Sequence, residues 1–102
     1  MVVELIYSLD CPNVDLARSH LVRAFAQVGQ APKWSEHVIG DPATPEHAAG
    51  YGSPTILIDR RDVSGAPAGA NASCRLYRTE DGHLTRAPSI DQIATALSRA
   101  TP

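Results

Sequence analysis

Val2-Val3-Glu4-Leu5-Ile6-Tyr7-Ser8, then Leu9-Asp10-Cys11-Pro12-Asn13, then Val14-Asp15-Leu16-Ala17-Arg18 is the stretch on which the fold turns. Its first segment is β-branched and aliphatic with little alternation, which reads as a strand buried on both faces. Asp10-Cys11-Pro12-Asn13 ends that strand. Beyond it, Val14, Ala17, Leu21, Ala24, Phe25 and Val28 stand at offsets 0, 3, 7, 10, 11 and 14, one face of a 3.6-residue period. Asp15, Arg18, Ser19, Arg23 and Gln27 fill the opposite face, and Gly29 is placed to stop the helix. Lys33 to Ile39 reads as a second strand. Strand, helix and strand in so short a span make a βαβ unit, with parallel strands and a right-handed crossover.

Outward from this unit, Thr44-Pro45-Glu46 reads as an N-cap with proline at the first helical position, opening a helix that Gly50 and Gly52 keep short. Ser53-Pro54 leads into a third buried strand, Thr55 to Ile58. Arg60-Arg61-Asp62 reads as a turn, with Val63 starting a short antiparallel return. Residues 64–73 are small, with Gly and Pro spaced through them, and read as a loop. Glu80-Asp81-Gly82 marks the tip of a hairpin between Leu76 and Leu84. Ser89-x-x-Gln92 is a capping box for a last helix, whose inward stripe is Ile90, Ile93, Ala94 and Leu97. The predicted order is β-α-β-α-β-β-α: an α/β fold, one domain over 1–102, with a four-stranded mixed sheet and helices on both faces.

Composition narrows the function. Of 102 residues, 43% are hydrophobic and 20% charged, which suits a folded globular domain. Nine Lys and Arg against eleven Asp and Glu leave a net charge of −2, without the basic surplus of a general nucleic-acid binder. Aromatic residues are 5%, too few for a base-stacking platform. No apolar run reaches the roughly 18–20 residues that span a bilayer. The start of the chain carries no secretory pattern, so a reducing cytoplasm is the expected compartment. His20, His37, His47 and His83 form no zinc-ligand spacing with each other or with cysteine, and no metal site is expected. His20 lies off the apolar stripe and is expected in solvent. No phosphate-cradling glycine motif is present.

Two cysteines remain, Cys11 and Cys74. Cys11 follows the first strand and precedes the first helix. With Pro12 at the first helical position, Cys11 would be the N-cap. Free N–H groups and the partial positive charge of a helix start favour a thiolate. Asp10 opposes it with a neighbouring negative charge. A cysteine there is either a nucleophilic thiol or a small residue filling a turn. Arg18, Arg60, Arg61 and Arg75 are either bidentate carboxylate binders or ordinary surface charges.

With Cys11-Pro12-Asn13-Val14 after strand one and Ser53-Pro54-Thr55 before strand three, nearly the whole chain resembles the thioredoxin-like superfamily in its glutaredoxin-like form. The resemblance implies that Pro54 is cis and lies beside an active Cys11, and that the backbone at Gly52-Ser53 pairs with a substrate segment or glutathione. It implies thiol–disulfide oxidoreduction with Cys11 as catalytic thiol. Pro12, Ser53, Pro54 and Thr55 would then form the substrate-binding surround. Glutathione would be a co-substrate and no cofactor would be bound. Partners would be a disulfide-containing protein or glutathione. The chain departs from the dithiol pattern at Val14, where a resolving cysteine would stand. Three readings stay open: Cys74 resolves the intermediate or Cys11 works alone with glutathione; the domain is a redox-silent protein-binding module; or two thiolates handle a soft metal or organomercury. The last reading rests on a further resemblance, carried by Cys11-Pro12-Asn13, Gly52-Ser53-Pro54-Thr55 and Ser73-Cys74-Arg75-Leu76-Tyr77, to small bacterial thioredoxin-like proteins of which some are labelled alkylmercury lyase.

Overall fold

The computed structural model describes residues 1–65, 75–79 and 81–100. Strand β1 (Val3–Tyr7) leads into helix α1 (Val14–Gln27), and β2 (Ser35–Val38) follows. A single 3-10 turn, Glu46–Ala48, precedes β3 (Thr55–Ile58) and β4 (Arg61–Asp62). A small ribbon, β5 (Tyr77–Arg78) with β6 (Leu84–Thr85), comes before helix α2 (Ile90–Ala100). The main sheet has four strands in the order β2-β1-β3-β4. β1 and β2 are parallel, with Glu4 opposite Ser35, as the βαβ reading requires. β3 runs antiparallel to β1, and β4 antiparallel to β3, so the sheet is mixed.

Alternation along β1 and β3 divides the core between the two faces. Val3, Leu5, Ile56 and Ile58 pack with Ala17, Leu21, Ala24 and Phe25 of α1 and with Ile93, Ala94 and Leu97 of α2. Ile6 and Leu57 point the other way, onto Ala48, with Ile39 and Tyr51 at the margin. Both α-helices therefore lie on one face, and they pack against each other. This corrects the expectation of helices on both faces. The 44–48 segment is only one 3-10 turn, because Gly50 follows at once with φ +88°. One small side chain, Ala48, plugs the second face in place of a helix.

The helical stripe is as the spacing predicts: Val14, Ala17, Leu21, Ala24 and Phe25 are buried. Burying side chains such as Leu21 or Phe25 stabilises the fold by about 1.5–3 kcal/mol each. Gly29, at φ +74°, ends α1 in the left-handed conformation that a side chain resists. In α2, Ser89 Oγ accepts the Gln92 N–H at 3.0 Å, the first half of a capping box. The β3–β4 turn lies one residue earlier than the sequence suggests. Asp59 and Arg60, at φ +49° and +68°, are its two central residues, and Arg61 already pairs with Ile58. Asp59 is held there by its Oδ1, which accepts the Val2 N–H at 2.8 Å.

Candidate functional site

Cys11 belongs to a tight turn after β1. Its N–H donates to the Ser8 carbonyl at 3.0 Å. The cap of α1 is Asn13, whose carbonyl accepts the first helical N–H, from Ala17, at 3.1 Å. Cys11 is therefore two residues ahead of the cap, and Pro12 is not the first helical residue. The turn bond to Ser8 consumes the residues that the N-cap expectation assigned to the helix. Asn13 caps with no side-chain hydrogen bond. Cys11 is a free thiol of intermediate exposure, Pro12 is exposed, and Leu9 beside them is 81% exposed. The Ser8 hydroxyl donates to the Asp10 carboxylate, so the acid nearest in sequence to Cys11 has its own partner.

The Ser53–Pro54 peptide is cis. Ser53, Pro54 and Thr55 are all buried. Ser53 Oγ accepts the Ser8 N–H at 3.0 Å. Ser8 thus joins both halves of the site, with its carbonyl on the Cys11 turn and its amide on the Ser53–Pro54 turn. The Ser53 carbonyl accepts the Arg75 N–H at 2.8 Å, and the Pro54 carbonyl accepts the Tyr77 hydroxyl. Thr55 Oγ1 donates to the Gly52 carbonyl at 2.6 Å. The carbonyls of Gly52 and Ser53, part of the backbone that the resemblance assigns to a substrate segment or glutathione, are thus both engaged within the chain.

Arg75 is the hub of this side of the site. Its guanidinium pairs with the buried Asp62 carboxylate and donates to Thr55 Oγ1 at 2.9 Å and Ser64 Oγ at 3.1 Å. It also lies over the Tyr77 ring, 4.5 Å from the centroid. Burial pushes the Tyr77 phenol well above its ordinary range, so its hydroxyl stays a donor. Cys74, the other expected thiol, lies outside the described residues; Arg75 is its neighbour in the sequence.

The remaining sequence candidates fall elsewhere. Arg18 makes a bidentate pair with Glu36 at 2.8 and 2.9 Å and stacks on Tyr7, so it is committed to α1–β2 packing. That pairing holds the Glu36 carboxyl below its usual range, through the hydrogen bond from Arg18. His20 is not free in solvent: it is half-buried, with Nδ1 2.8 Å from the Pro88 carbonyl.

One cluster escaped the sequence reading. Glu4 is only 4% exposed, and its carboxylate meets His37 Nε2 at 2.8 Å and His47 Nε2 at 2.8 and 2.9 Å. A signal was present: an acid inside a strand buried on both faces must find partners. Among the described residues, no group of three or more His, Cys, Asp or Glu is arranged to hold a metal ion. No helix among them is long and apolar enough to cross a membrane.

Comparison with protein-family models, with curated proteins and with solved structures gave no match.

Proposed function

We propose that the protein is a thiol–disulfide oxidoreductase in which Cys11 is the attacking thiol. The observation that carries this reading is the double role of Ser8, which ties the Cys11 turn and the Ser53–Pro54 turn to the same strand end. A half-exposed thiol near an exposed leucine in the chain, on a turn that shares Ser8 with the buried Ser53–Pro54 turn, suits attack on a disulfide presented from solvent. In the reaction, the Cys11 thiolate attacks one sulfur of a disulfide RSSR. A mixed disulfide forms and one RS⁻ leaves. A second thiolate, from Cys74 or from glutathione, attacks the Cys11 sulfur and releases the second RS⁻, leaving a Cys11–Cys74 disulfide or a Cys11–glutathione disulfide that further glutathione reduces. Two thiols are oxidised for each disulfide reduced. The thioredoxin-like identity of the fold is part of the same proposal, supported by the sheet order and by the position of Cys11 after β1.

The test is the reduction of hydroxyethyl disulfide with glutathione as reductant. The wild-type protein is expected to accelerate it, and Cys11→Ser to return the rate to background. A Cys11→Ser variant as active as wild type would overturn the proposal. If neither protein is active while both fold, the redox-silent binding reading replaces it.

A further inference from the structure

The chain covers its own backbone at the turn that shares Ser8 with Cys11. Residues 75–77 are fastened to the Ser53–Pro54–Thr55 turn by backbone and side chain alike. The Arg75 N–H donates to the Ser53 carbonyl at 2.8 Å, and the Tyr77 hydroxyl donates to the Pro54 carbonyl. Ser53 stands in a one-residue β-bridge, so its backbone is already paired as in a sheet. The Gly52 carbonyl takes the Thr55 hydroxyl at 2.6 Å. The Arg75 guanidinium anchors this strap to Thr55 Oγ1, Ser64 Oγ and the buried Asp62 carboxylate, and Tyr77 is buried beneath it.

An extended polypeptide binds a sheet edge through its backbone, and that mode needs free carbonyls and room alongside them. At this turn the carbonyls of three successive residues, Gly52, Ser53 and Pro54, have donors from the chain itself. The strap holds the place that a visiting strand would take. The Cys11 side of the site is open by contrast. Leu9 and Pro12 are exposed, and the Cys11 thiol is half-exposed. A compact disulfide can reach the sulfur from that side with no backbone pairing.

We infer that residues 75–77 set the substrate class of the Cys11 thiol: it takes disulfides of small molecules, and an extended polypeptide gains nothing from its backbone. The inference rests on the reading of Cys11 as the attacking thiol. Arg75 is a positioning residue, because it acts by holding the strap.

The experiment compares two mixed disulfides of 2-thiopyridine on the full-length Cys74→Ser protein, in which Cys11 is the remaining cysteine. One probe carries mercaptoethanol. The other carries a short uncharged peptide with blocked ends and a central cysteine. The Cys11 thiolate attacks the mercaptoethanol or peptide sulfur and forms a disulfide with it. The S–S bond of the probe breaks, and 2-thiopyridone leaves with the electron pair and is read by its absorbance. Rates with N-acetylcysteine correct for the intrinsic reactivity of the two probes. After that correction the protein is expected to react no faster with the peptide than with the small probe. Added Asp62→Leu/Arg75→Met/Tyr77→Phe substitutions remove every side-chain anchor of the strap to Asp62, Ser64, Thr55 and Pro54. The peptide should then gain about fivefold to tenfold over the small probe, the effect of one or two backbone hydrogen bonds. Added Tyr77→Phe alone keeps the Asp62–Arg75 pair and should give a gain of about twofold. A merely structural role for these residues would move both probes together. A parent protein that prefers the peptide by more than about fivefold, or a ratio that neither set of substitutions moves, would overturn the inference. Any accessible thiol reacts with these probes, so the ratio is readable even where the oxidoreductase reading fails. That failure shows separately, as a rate with the small probe no greater than that of N-acetylcysteine.

Discussion

Replacing Arg75 with methionine tests the reasoning about the site's supporting network. The Arg75 side chain is 15% exposed and its partner, Asp62, is 0% exposed. Methionine keeps most of the length and packing but removes the charge and every guanidinium donor. Among the described residues, Asp62 would retain only Ser64, whose N–H and hydroxyl both reach Oδ1 at 2.8 Å. Leaving a buried charge without its counter-ion costs about 3–5 kcal/mol, and the two surviving bonds place this case near 3 kcal/mol. Such a loss is a large part of the roughly 5–15 kcal/mol that holds a domain together. In urea unfolding, with a slope of about 1–3 kcal/mol per molar, the midpoint should fall by about 1–3 M with the slope unchanged. The double variant Asp62→Leu/Arg75→Met, which removes both charges, should recover most of the loss. A loss under about 1 kcal/mol for Arg75→Met, as for an exposed pair, would mean that Asp62 does not depend on Arg75 for its charge. So would a double variant as unstable as the sum of the singles.

Three further outcomes are expected. The Arg18–Glu36 pair depresses the Glu36 pKa, so its contribution is fully present above the unfolded value near 4.3 and is lost as pH falls through the lower folded value. Acid titrations of stability should therefore show a shallower limb in Glu36→Gln, by about 0.5–1 kcal/mol given the pair's exposure, and superimposable limbs would contradict this. Arg60→Gly relieves a side chain held at φ +68° and should raise stability by about 0.5–1 kcal/mol net of the added freedom of the unfolded chain, read as a higher urea midpoint; a lower midpoint would deny the strain. Leu97→Ala, at a fully buried position between α2 and the sheet, should cost about 2–5 kcal/mol by calorimetry, and a loss under 1 kcal/mol would mean that α2 is not packed as described.

The elements with strong local signals were legible in the sequence. The stripe from Val14 to Phe25 buries as its period predicts, Gly29 stops α1, and Ser89 caps α2. What the sequence did not carry was the layering. A 3-10 turn and a short helix share the same Thr-Pro-Glu opening, and only the tertiary position of Ala48 shows that one turn is enough to cover the second face. The start of α1 was misplaced by a long-range effect of the same kind. Proline is at home at a first helical position, but the Cys11–Ser8 bond forms a separate turn ahead of Asn13. Cys11 and Ser53–Pro54 were singled out by motif, and Ser8 bonds to both turns, whereas Arg75 was one of four arginines with nothing local to single it out. Its role depends on Asp62, Thr55, Ser64 and Tyr77, which come together only in three dimensions. His37 and His47 were set aside because no spacing linked them, although Glu4 in a doubly buried strand required partners such as these.

The most direct measurement for the thiol chemistry of Cys11 is intact mass after brief treatment with diamide, followed by alkylation of the remaining thiols. In the presence of glutathione Cys11 should be protected, either as a disulfide with Cys74 in a monomer two mass units lighter or as a glutathione adduct that Cys74→Ser retains, and Cys11→Ser should abolish the internal disulfide and the Cys11 adduct. Full alkylation of Cys11 after that treatment, at the rate of an ordinary thiol, would contradict this chemistry.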